Sequence, residues 1–148
     1  MRYNQSMSPK RRYPPRPLLG VSAIIPHQGR VLLVQRGRAP LKGLWSFPGG
    51  LVKTGESLEA AVRRELAEET GTQARFTAPP EPREIIVRDA NGQVEHHYVL
   101  MVFAGDYEGG EARPGGDAAA VKWAGRSQAA RLPLTDGALE LIDRFLDG

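Results

Sequence analysis

The stretch FPGGLVKTGESLEAAVRRELAEETG, residues 47–71, holds the most informative pattern in the chain. Its second half predicts a helix from Ser57 to Thr70, because Ser57 is a good N-cap residue and Gly71 suits the left-handed conformation that often follows a helix. Its first half is rich in glycine, which permits close backbone approach and unusual dihedral angles. A loop of this kind can point a carbonyl or amide groups at an ion or a phosphate near the helix.

The predicted helix interrupts its own apolar face with acidic side chains. At about 100° per residue, four side chains form that face: Leu58, Ala61, Val62 and Leu66. Glu69 falls near the middle of the face, Glu65 beside it and Glu68 at its margin. Such carboxylates repel each other and lose hydration, and only Arg64 lies near this edge to compensate. A cation such as Mg²⁺, which prefers carboxylate oxygens, would compensate them; the alternative is a solvated acidic helix end with ion pairs four residues apart.

The spacing of these residues resembles a known motif. The chain contains the pattern Gly50-x5-Glu56-x7-Arg64-Glu65-Leu66-x-Glu68-Glu69-x-Gly71. This pattern is similar to the Nudix box of the Nudix hydrolases, and every specified polar and glycine position is present. Thr72 departs from it, since the family has a bulky aliphatic residue there. Residues 43–49 also resemble the family, and the resemblance extends over residues 18–148.

This resemblance implies an α/β fold, a Nudix-type α/β/α sandwich with a mixed sheet between helices. It also implies hydrolysis of the pyrophosphate linkage in a nucleoside diphosphate joined to another group. The residues carried over as metal ligands are the Gly49 carbonyl, Glu65, Glu68 and Glu69. Arg64 and Glu56 would form the pair that orients the helix carboxylates. The expected cofactor is Mg²⁺, with Mn²⁺ as a substitute.

The general base stays open between two kinds of residue. One candidate is a carboxylate of the motif, with Glu65 first. The other is an acidic residue on or beside the glycine-rich segment 105–116, which is predicted to be a mobile loop that closes over substrate. These candidates are Glu108, Glu111 and Asp117. Substrate contacts are expected from Arg36, at the end of a predicted strand, and from Gly50.

The rest of the chain predicts one domain of strands and helices. Further strands are predicted at 18–25, 30–35, 83–88, 94–104 and 119–123, with a hairpin turn at Asn91-Gly92 and a closing helix at 139–146. This order predicts a mixed sheet with helices packed on it. His96 and His97 are adjacent on a strand and point to opposite faces, so they cannot bind one metal together. We place the domain at residues 18–148, after a basic, proline-rich arm at residues 1–17.

The net charge of +3 does not describe the domain. The first 17 residues hold five basic and no acidic side chains, which leaves 15 basic and 17 acidic side chains in the rest, a net charge of −2. The basicity therefore belongs to the arm, and nucleic acid is not expected as a partner.

The sequence contains no cysteine and no apolar run long enough for a membrane helix, and we expect a cytoplasmic protein. The resemblance to the Nudix family also allows a homodimer, since many Nudix proteins pair through their sheets or N-terminal segments.

Family markers outside the motif help mainly by exclusion. The patterns that accompany hydrolysis of coenzyme A, NADH and diadenosine polyphosphates are missing or wrongly spaced. Segments 95–99 and 132–137 look like short bacterial ADP-ribose pyrophosphatases. The favoured substrate is therefore ADP-ribose or a similar nucleotide sugar, giving AMP and a sugar phosphate. The alternatives are a MutT-type pyrophosphohydrolase of nucleoside triphosphates, including oxidised ones, and a catalytically silent domain that senses nucleotides or binds nucleic acid.

Overall fold

The computed structural model describes residues 10–39 and 41–146. Its helices and strands follow in the order β1 (Leu18–Ile24), β2 (Pro26–His27), β3 (Arg30–Arg36), β4 (Trp45–Ser46), β5 (Gly49–Leu51), α1 (Leu58–Thr70), β6 (Gln73–Arg75), β7 (Glu81–Arg88), β8 (Val94–Ala104), β9 (Asp106–Gly109), β10 (Ala118–Ala124), α2 (Arg126–Ala129) and α3 (Ala138–Phe145). Within these ranges, no helix has the length and apolar character needed to cross a membrane.

Two sheets form the centre of the domain. The first has the strand order β5-β1-β8-β7 and is mixed, because β1 runs parallel to β8 whereas the other pairs are antiparallel. The second is antiparallel, with the order β10-β3-β2 and with β4 also paired to β3. β6 and β9 form a separate two-stranded sheet. β5 and β7 are therefore the two edges of the first sheet.

Alternate residues of β1 face different helices. Val21 and Ala23 belong to the same buried cluster as Leu66 of α1, whereas Ile24 is buried with Ile142 of α3. A strand covered on both faces produces this alternation, because successive side chains point to opposite sides. The strands thus lie between α1 and α3, and the predicted α/β/α sandwich with a mixed sheet is confirmed.

The ends of α1 are set by the residues that the sequence indicates. Ser57 is the N-cap, and its hydroxyl accepts a hydrogen bond from the N–H of Ala60 at 3.1 Å. Gly71 adopts a left-handed conformation with φ of 70°, and its N–H donates to the carbonyl of Ala67 at 2.9 Å. These caps fix where the helix begins and ends, and thereby which side chains its last two turns present.

Two local predictions are wrong, because pairing with a distant strand decides the structure, and one short helix was not predicted. Residues 49–51 form an edge strand instead of a loop, since they pair with β1. Residues 106–109 form β9 instead of part of a mobile loop, since they pair with β6. The helix α2 is absent from the prediction, because four residues are too few to show helical periodicity.

The described part of the N-terminal arm, residues 10–17, is attached to the hairpin formed by β7 and β8. Arg12 forms an ion pair with Glu95 at 2.8 Å, and the Tyr13 hydroxyl donates to Asp89 at 2.7 Å. The N–H of Tyr13 also donates to the carbonyl of Glu95 at 2.8 Å. The first nine residues of the predicted arm lie outside the described ranges. The described arm is thus held at the end of the hairpin.

Candidate functional site

The glycine loop, residues 47–51, ends in the three residues of β5. This segment and the last two turns of α1 meet at one edge of the first sheet. β5 carries Gly49 and Gly50, and α1 packs against both β5 and β1. Because β5 pairs with β1, the glycines lie directly beside the strand that α1 covers. The residues predicted from the sequence motif therefore form one contiguous region.

Glu69 lies in the buried face of α1, as its position on the helix predicts. The residue is 9% exposed, and its Oε1 accepts a hydrogen bond from the N–H of Gly49 at 2.8 Å. Burial raises the pKa of Glu69 to about 7, with the negative charges of Glu65 and Asp117 acting in the same direction and the Gly49 bond and the charge of Arg36 opposing it. A nearby cation would favour the charged form of this carboxyl.

Both glycines of the loop are needed because the backbone approaches other groups closely. A Cβ on Gly50 would lie 2.5 Å from the carboxylate of Glu65, and a Cβ on Gly49 would collide with the carbonyl oxygen of Val21. Burial also raises the pKa of Glu65, against the opposing hydrogen bond and charge of Arg64. The loop glycines thus allow two partly buried carboxylates to lie against the backbone of β5.

Arg64 connects the loop to the helix. Its guanidinium donates to both carboxylate oxygens of Glu56, at 2.7 and 2.9 Å, and to the carbonyl of Leu51 at 3.1 Å. It also donates to Glu65 at 2.8 Å and to Glu68 at 3.2 Å. The hydrogen bonds from Arg64 lower the pKa of Glu56 to about 2. The predicted pairing of Arg64 with Glu56 is therefore present, and one Arg64 N–H fixes an oxygen of Glu65.

The chemistry of this donor set fits a hard divalent cation. Among the described residues, no group of three acidic or histidine side chains is already arranged to bind a metal ion. One oxygen of Glu65 accepts a hydrogen bond from Arg64, and one oxygen of Glu69 accepts a hydrogen bond from the N–H of Gly49. The side chain of Glu68 is 52% exposed. All three carboxylates nevertheless offer oxygen atoms and negative charge, and two of them are costly to bury as anions. The residues present therefore suit Mg²⁺ or Mn²⁺.

Of the three loop acids, Asp117 acts on the cluster. Its charge contributes to the raised pKa of both Glu65 and Glu69. Glu108 lies on β9, and the carbonyl of Glu111 lies near Gly71, beyond the C-terminal end of α1. All three acids are exposed. Among the described residues, Asp117 is therefore the loop candidate that the fold brings towards the carboxylates.

Asp117 has two contacts that the sequence does not predict. Its carboxylate pairs with Arg38 at 3.0 Å, and its carbonyl accepts from the N–H of Gly37 at 2.9 Å. A Cβ on Gly37 would lie 2.8 Å from that carbonyl oxygen. The sequence signal for this contact is Gly37 itself, because a glycine directly after a strand permits close approach of another backbone.

The glycine-rich segment after β9 lies against the C-terminal end of α1. The N–H groups of Arg113 and Gly115 donate to the carbonyls of Thr70 and Glu69, at 2.9 and 3.0 Å. These bonds satisfy carbonyls that a helix end leaves without an intrahelical partner. A Cβ on Gly115 would collide with the carbonyl oxygen of Glu68. The prediction of a loop is right for this part of the segment, and the loop is bonded to the helix that carries the carboxylates.

Arg36 ends β3 beside the cluster. Its positive charge is one of the effects that lower the pKa of Glu69. Its N–H donates to the carbonyl of Leu44 at 2.9 Å, and its carbonyl accepts from Gly43 at 2.8 Å. A cationic side chain in this position could reach a phosphate held near the carboxylates. The substrate contacts expected of Arg36 and Gly50 stay predictions.

The adjacent histidines and the two tryptophans lie in other parts of the molecule. His96 and His97 lie in β8 opposite β7, and His96 is 3.1 Å from a carbonyl of the arm. Trp45 is buried in the cluster that contains α3. Trp123 contacts the ring of Tyr107, with 5.3 Å between ring centroids. These contacts agree with a packing role for both tryptophans.

Comparison with known proteins shows what this fold and site are similar to. The NUDIX domain family matches residues 15–145. The chain is 37% identical over 102 residues to an ADP-ribose pyrophosphatase of Methanocaldococcus jannaschii, covering 69% of this chain and 58% of that protein. It is 31% identical over 129 residues to the CTP pyrophosphohydrolase of Escherichia coli, covering 85% of this chain and 89% of that protein.

A solved structure agrees with the sequence matches. The NUDIX domain of Shewanella oneidensis NrtR, complexed with ADP ribose, matches with a TM-score of 0.72 and 30% identity, covering 88% of this chain and 86% of that one. The fold and the carboxylate-bearing helix thus define an α/β/α domain of the kind that acts on phosphate anhydrides. The chain belongs to the Nudix hydrolase family, whose members hydrolyse pyrophosphate bonds and generally use divalent metal ions.

Proposed function

We propose that this protein hydrolyses the pyrophosphate linkage of a nucleoside diphosphate joined to a further group, with Mg²⁺ as cofactor and Mn²⁺ as a substitute. ADP-ribose, or a similar nucleotide sugar, is the favoured substrate, giving AMP and a sugar phosphate. The names of two relatives support this choice, since one is an ADP-ribose pyrophosphatase and the other was solved with ADP ribose. The match spans only 58% of the first relative's length.

The observation that carries the proposal is the pair of carboxylates at the glycine loop, of which Glu69 is buried and Glu65 half-buried. Burial raises the pKa of both Glu69 and Glu65, and the negative charge of Glu65 raises that of Glu69 further. Removing two neighbouring anions from water costs stability, and a bound cation would offset this cost. A cation held by carboxylates at a glycine loop is in turn suited to bind a diphosphate.

The proposed roles of the site residues are to hold the cation, to orient Glu65 and to bind the phosphates of the substrate. When bound, the divalent cation would neutralise charge on the diphosphate and polarise the phosphorus–oxygen bond. The groups that would hold it are the Gly49 carbonyl, Glu65, Glu68 and Glu69. Arg64 keeps Glu65 oriented, because Arg64 is itself held by both oxygens of Glu56. Arg36 and the backbone of Gly50 bind phosphate oxygens of the substrate.

Proton transfer needs a carboxylate base. Water attacks one phosphorus, the bond from that phosphorus to the bridging oxygen breaks, and the proton of the water passes to the base. Glu65 is the first candidate, since burial raises its pKa and thereby makes its carboxylate a stronger proton acceptor. Asp117 is the loop candidate, at the end of the segment that contacts α1.

Product analysis tests the proposal. The protein is incubated with Mg²⁺ and either ADP-ribose, ADP-glucose, CTP, dGTP or 8-oxo-dGTP, and the products are separated by ion-exchange chromatography. The proposal expects AMP and ribose 5-phosphate from ADP-ribose as the fastest reaction. Absence of turnover with every nucleotide and with both Mg²⁺ and Mn²⁺ would reject hydrolysis and favour the catalytically silent alternative.

A second candidate function has its own support. The E. coli relative, covered over 89% of its length, is a CTP pyrophosphohydrolase, which favours a nucleoside triphosphate as substrate. The same residues would then release a nucleoside monophosphate and pyrophosphate. Preference for CTP or 8-oxo-dGTP over ADP-ribose in the same assay would select this candidate, without changing the assignment of the metal ligands.

A further inference from the structure

Strand β7 is an edge of the first sheet, and among the described residues it pairs with β8 alone. An edge strand presents unpaired N–H and C=O groups that can accept another strand. Natural edges are commonly protected by charges, prolines or bulges. In β7, Pro82 and the charged side chains flank an apolar, β-branched centre of three residues: Ile85, Ile86 and Val87. Ile86 is 47% and Val87 43% exposed, so the centre of this edge is unprotected.

We propose that β7 pairs with β7 of a second copy of this chain, antiparallel and across a two-fold axis at Ile86. In an antiparallel pair, two opposite residues both point their N–H and C=O groups towards the partner strand, or both point them away. These orientations alternate along a strand. A strand can therefore pair with its own copy only where opposite residues are separated by an even number of positions in sequence.

Among these registers, the one centred on Ile86 matches apolar with apolar and charge with opposite charge. It places Ile86 opposite Ile86 and Ile85 opposite Val87. It places Glu84 opposite Arg88, and the two-fold axis repeats this pair. A register centred on Ile85 would instead put Glu84 opposite Ile86. One centred on Val87 would put Arg88 opposite Ile86. Since opposite charges stabilise a cross-strand pair, the symmetric register at Ile86 is favoured.

The single chain leaves this register free to form. No ion pair among the described residues involves Glu84, and Arg88 donates to the carbonyl of Gly92 at 3.0 Å on the exposed surface. The irregularity near the end of the hairpin is in β8, where Glu95 is the extra residue, so β7 stays regular to Arg88. The described arm bonds to β8 and to Asp89, which follows β7.

Pairing at β7 leaves the carboxylate cluster open. The glycine loop belongs to β5, and β5 is the opposite edge of the same sheet. The proposal therefore does not depend on which reaction the cluster performs. Because five paired residues make a small interface, we expect a reversible dimer whose population rises with protein concentration.

Introduced thiols test the register, since the natural chain has no cysteine. Three single variants are compared under mild oxidation: Ile85→Cys, Ile86→Cys and Val87→Cys. Directly opposite residues in a sheet have Cα separations within the range of a disulfide. Only Ile86→Cys should form a covalent dimer readily, because position 86 alone lies opposite itself. Faster cross-linking of either neighbouring variant would overturn the proposed register. The absence of cross-linking in all three variants would overturn it as well.

Charge exchange tests the pairing without covalent chemistry. Sedimentation velocity over a range of concentrations should give a wild-type dimer. Glu84→Arg or Arg88→Glu alone should raise the dissociation constant roughly tenfold or more, because two like-charge contacts replace two ion pairs. The double variant Glu84→Arg/Arg88→Glu should restore it, and Glu59→Arg, an exposed change on α1, should have no effect. A monomer at all concentrations, or single variants that dimerise like wild type, would overturn the proposal.

Discussion

Replacing Glu69 by glutamine should stabilise the metal-free protein at alkaline pH and abolish its hydrolytic activity. Glutamine is close to glutamate in shape and can keep the hydrogen bond that Oε1 accepts from the N–H of Gly49. It removes a charge from a side chain of which little is exposed. The same substitution removes a proposed metal ligand. Stability and activity should therefore change in opposite directions.

The size of the stability effect follows from the pKa of Glu69. This pKa is about 7 in the folded protein, against an ordinary value of 4.5. Between these two values the folded state keeps a proton that the unfolded state has lost, so the free energy of unfolding falls as pH rises through this window and is constant above it. At roughly 1.4 kcal/mol per pH unit, the full cost of charging is about 3 kcal/mol. Because water and protein dipoles screen part of this cost, we expect an observed effect of about 2 kcal/mol.

Thermal unfolding in EDTA measures this effect. At pH 8, Glu69→Gln should raise Tm by about 4–8 °C, since 1 kcal/mol corresponds to about 2–4 °C in a domain of this size. At pH 4.5 or below, where wild-type Glu69 is largely protonated, the two proteins should unfold at nearly the same temperature. Glu68→Gln, on an exposed part of the same helix edge, is the matched control and should change stability by less than about 0.5 kcal/mol.

Addition of Mg²⁺ separates the metal site from simple charge removal. Mg²⁺ at pH 8 should raise Tm of the wild type, because it binds the folded state, and should have little effect on Glu69→Gln. If wild type and Glu69→Gln had equal Tm values at pH 8 without metal, the inference that the charge of Glu69 costs stability would be refuted. Full activity of the variant with Mg²⁺ would refute its role as a ligand.

Three further predictions concern the loop and the base. Arg64→Lys should lower kcat at least about tenfold in nucleotide hydrolysis assays, because an ammonium group cannot bridge both oxygens of Glu56 while it also holds Glu65. Gly50→Ala should keep the wild-type stability in urea but lose activity, because its Cβ displaces only the flexible end of Glu65; Gly49→Ala should instead lose roughly 1–3 kcal/mol of stability, because its Cβ meets backbone. Asp117→Asn should lower kcat by a factor below about ten and Glu65→Gln by about a hundred or more, and the reverse order would move the base to the loop.

The parts of the structure that could be predicted are those that depend on residues close in sequence. The helical positions of Leu66 and Glu69 fix which side of α1 each occupies, so the burial of Glu69 follows from the pattern alone. Ser57 and Gly71 act within one turn of the helix, and both have the predicted conformations. The approach of Arg64 to the acidic edge is likewise a matter of helical spacing.

The unpredicted parts depend on pairing between distant segments. β9 exists because it pairs with β6, and its own residues are mostly polar or glycine. The parallel pairing of β1 with β8 joins segments separated by most of the domain. The position of Asp117 near Glu65 likewise depends on how β10 pairs with β3. The sequence alone therefore could not distinguish Asp117 from Glu108 and Glu111 as the candidate base.

The last turn of α1 has a consequence for attempts to stabilise this protein. All of α1 lies within the described residues, and no basic side chain occupies its last turn. The helix macrodipole places about half a negative charge at that end, where Glu68 and Glu69 add their own. Backbone N–H groups of the following segment offset part of this charge without neutralising it. A lysine added there, the usual way to strengthen a helix, would make α1 more stable and less attractive to a divalent cation. The negative end that a lysine would neutralise is thus the same feature that we propose as the place where a metal ion binds.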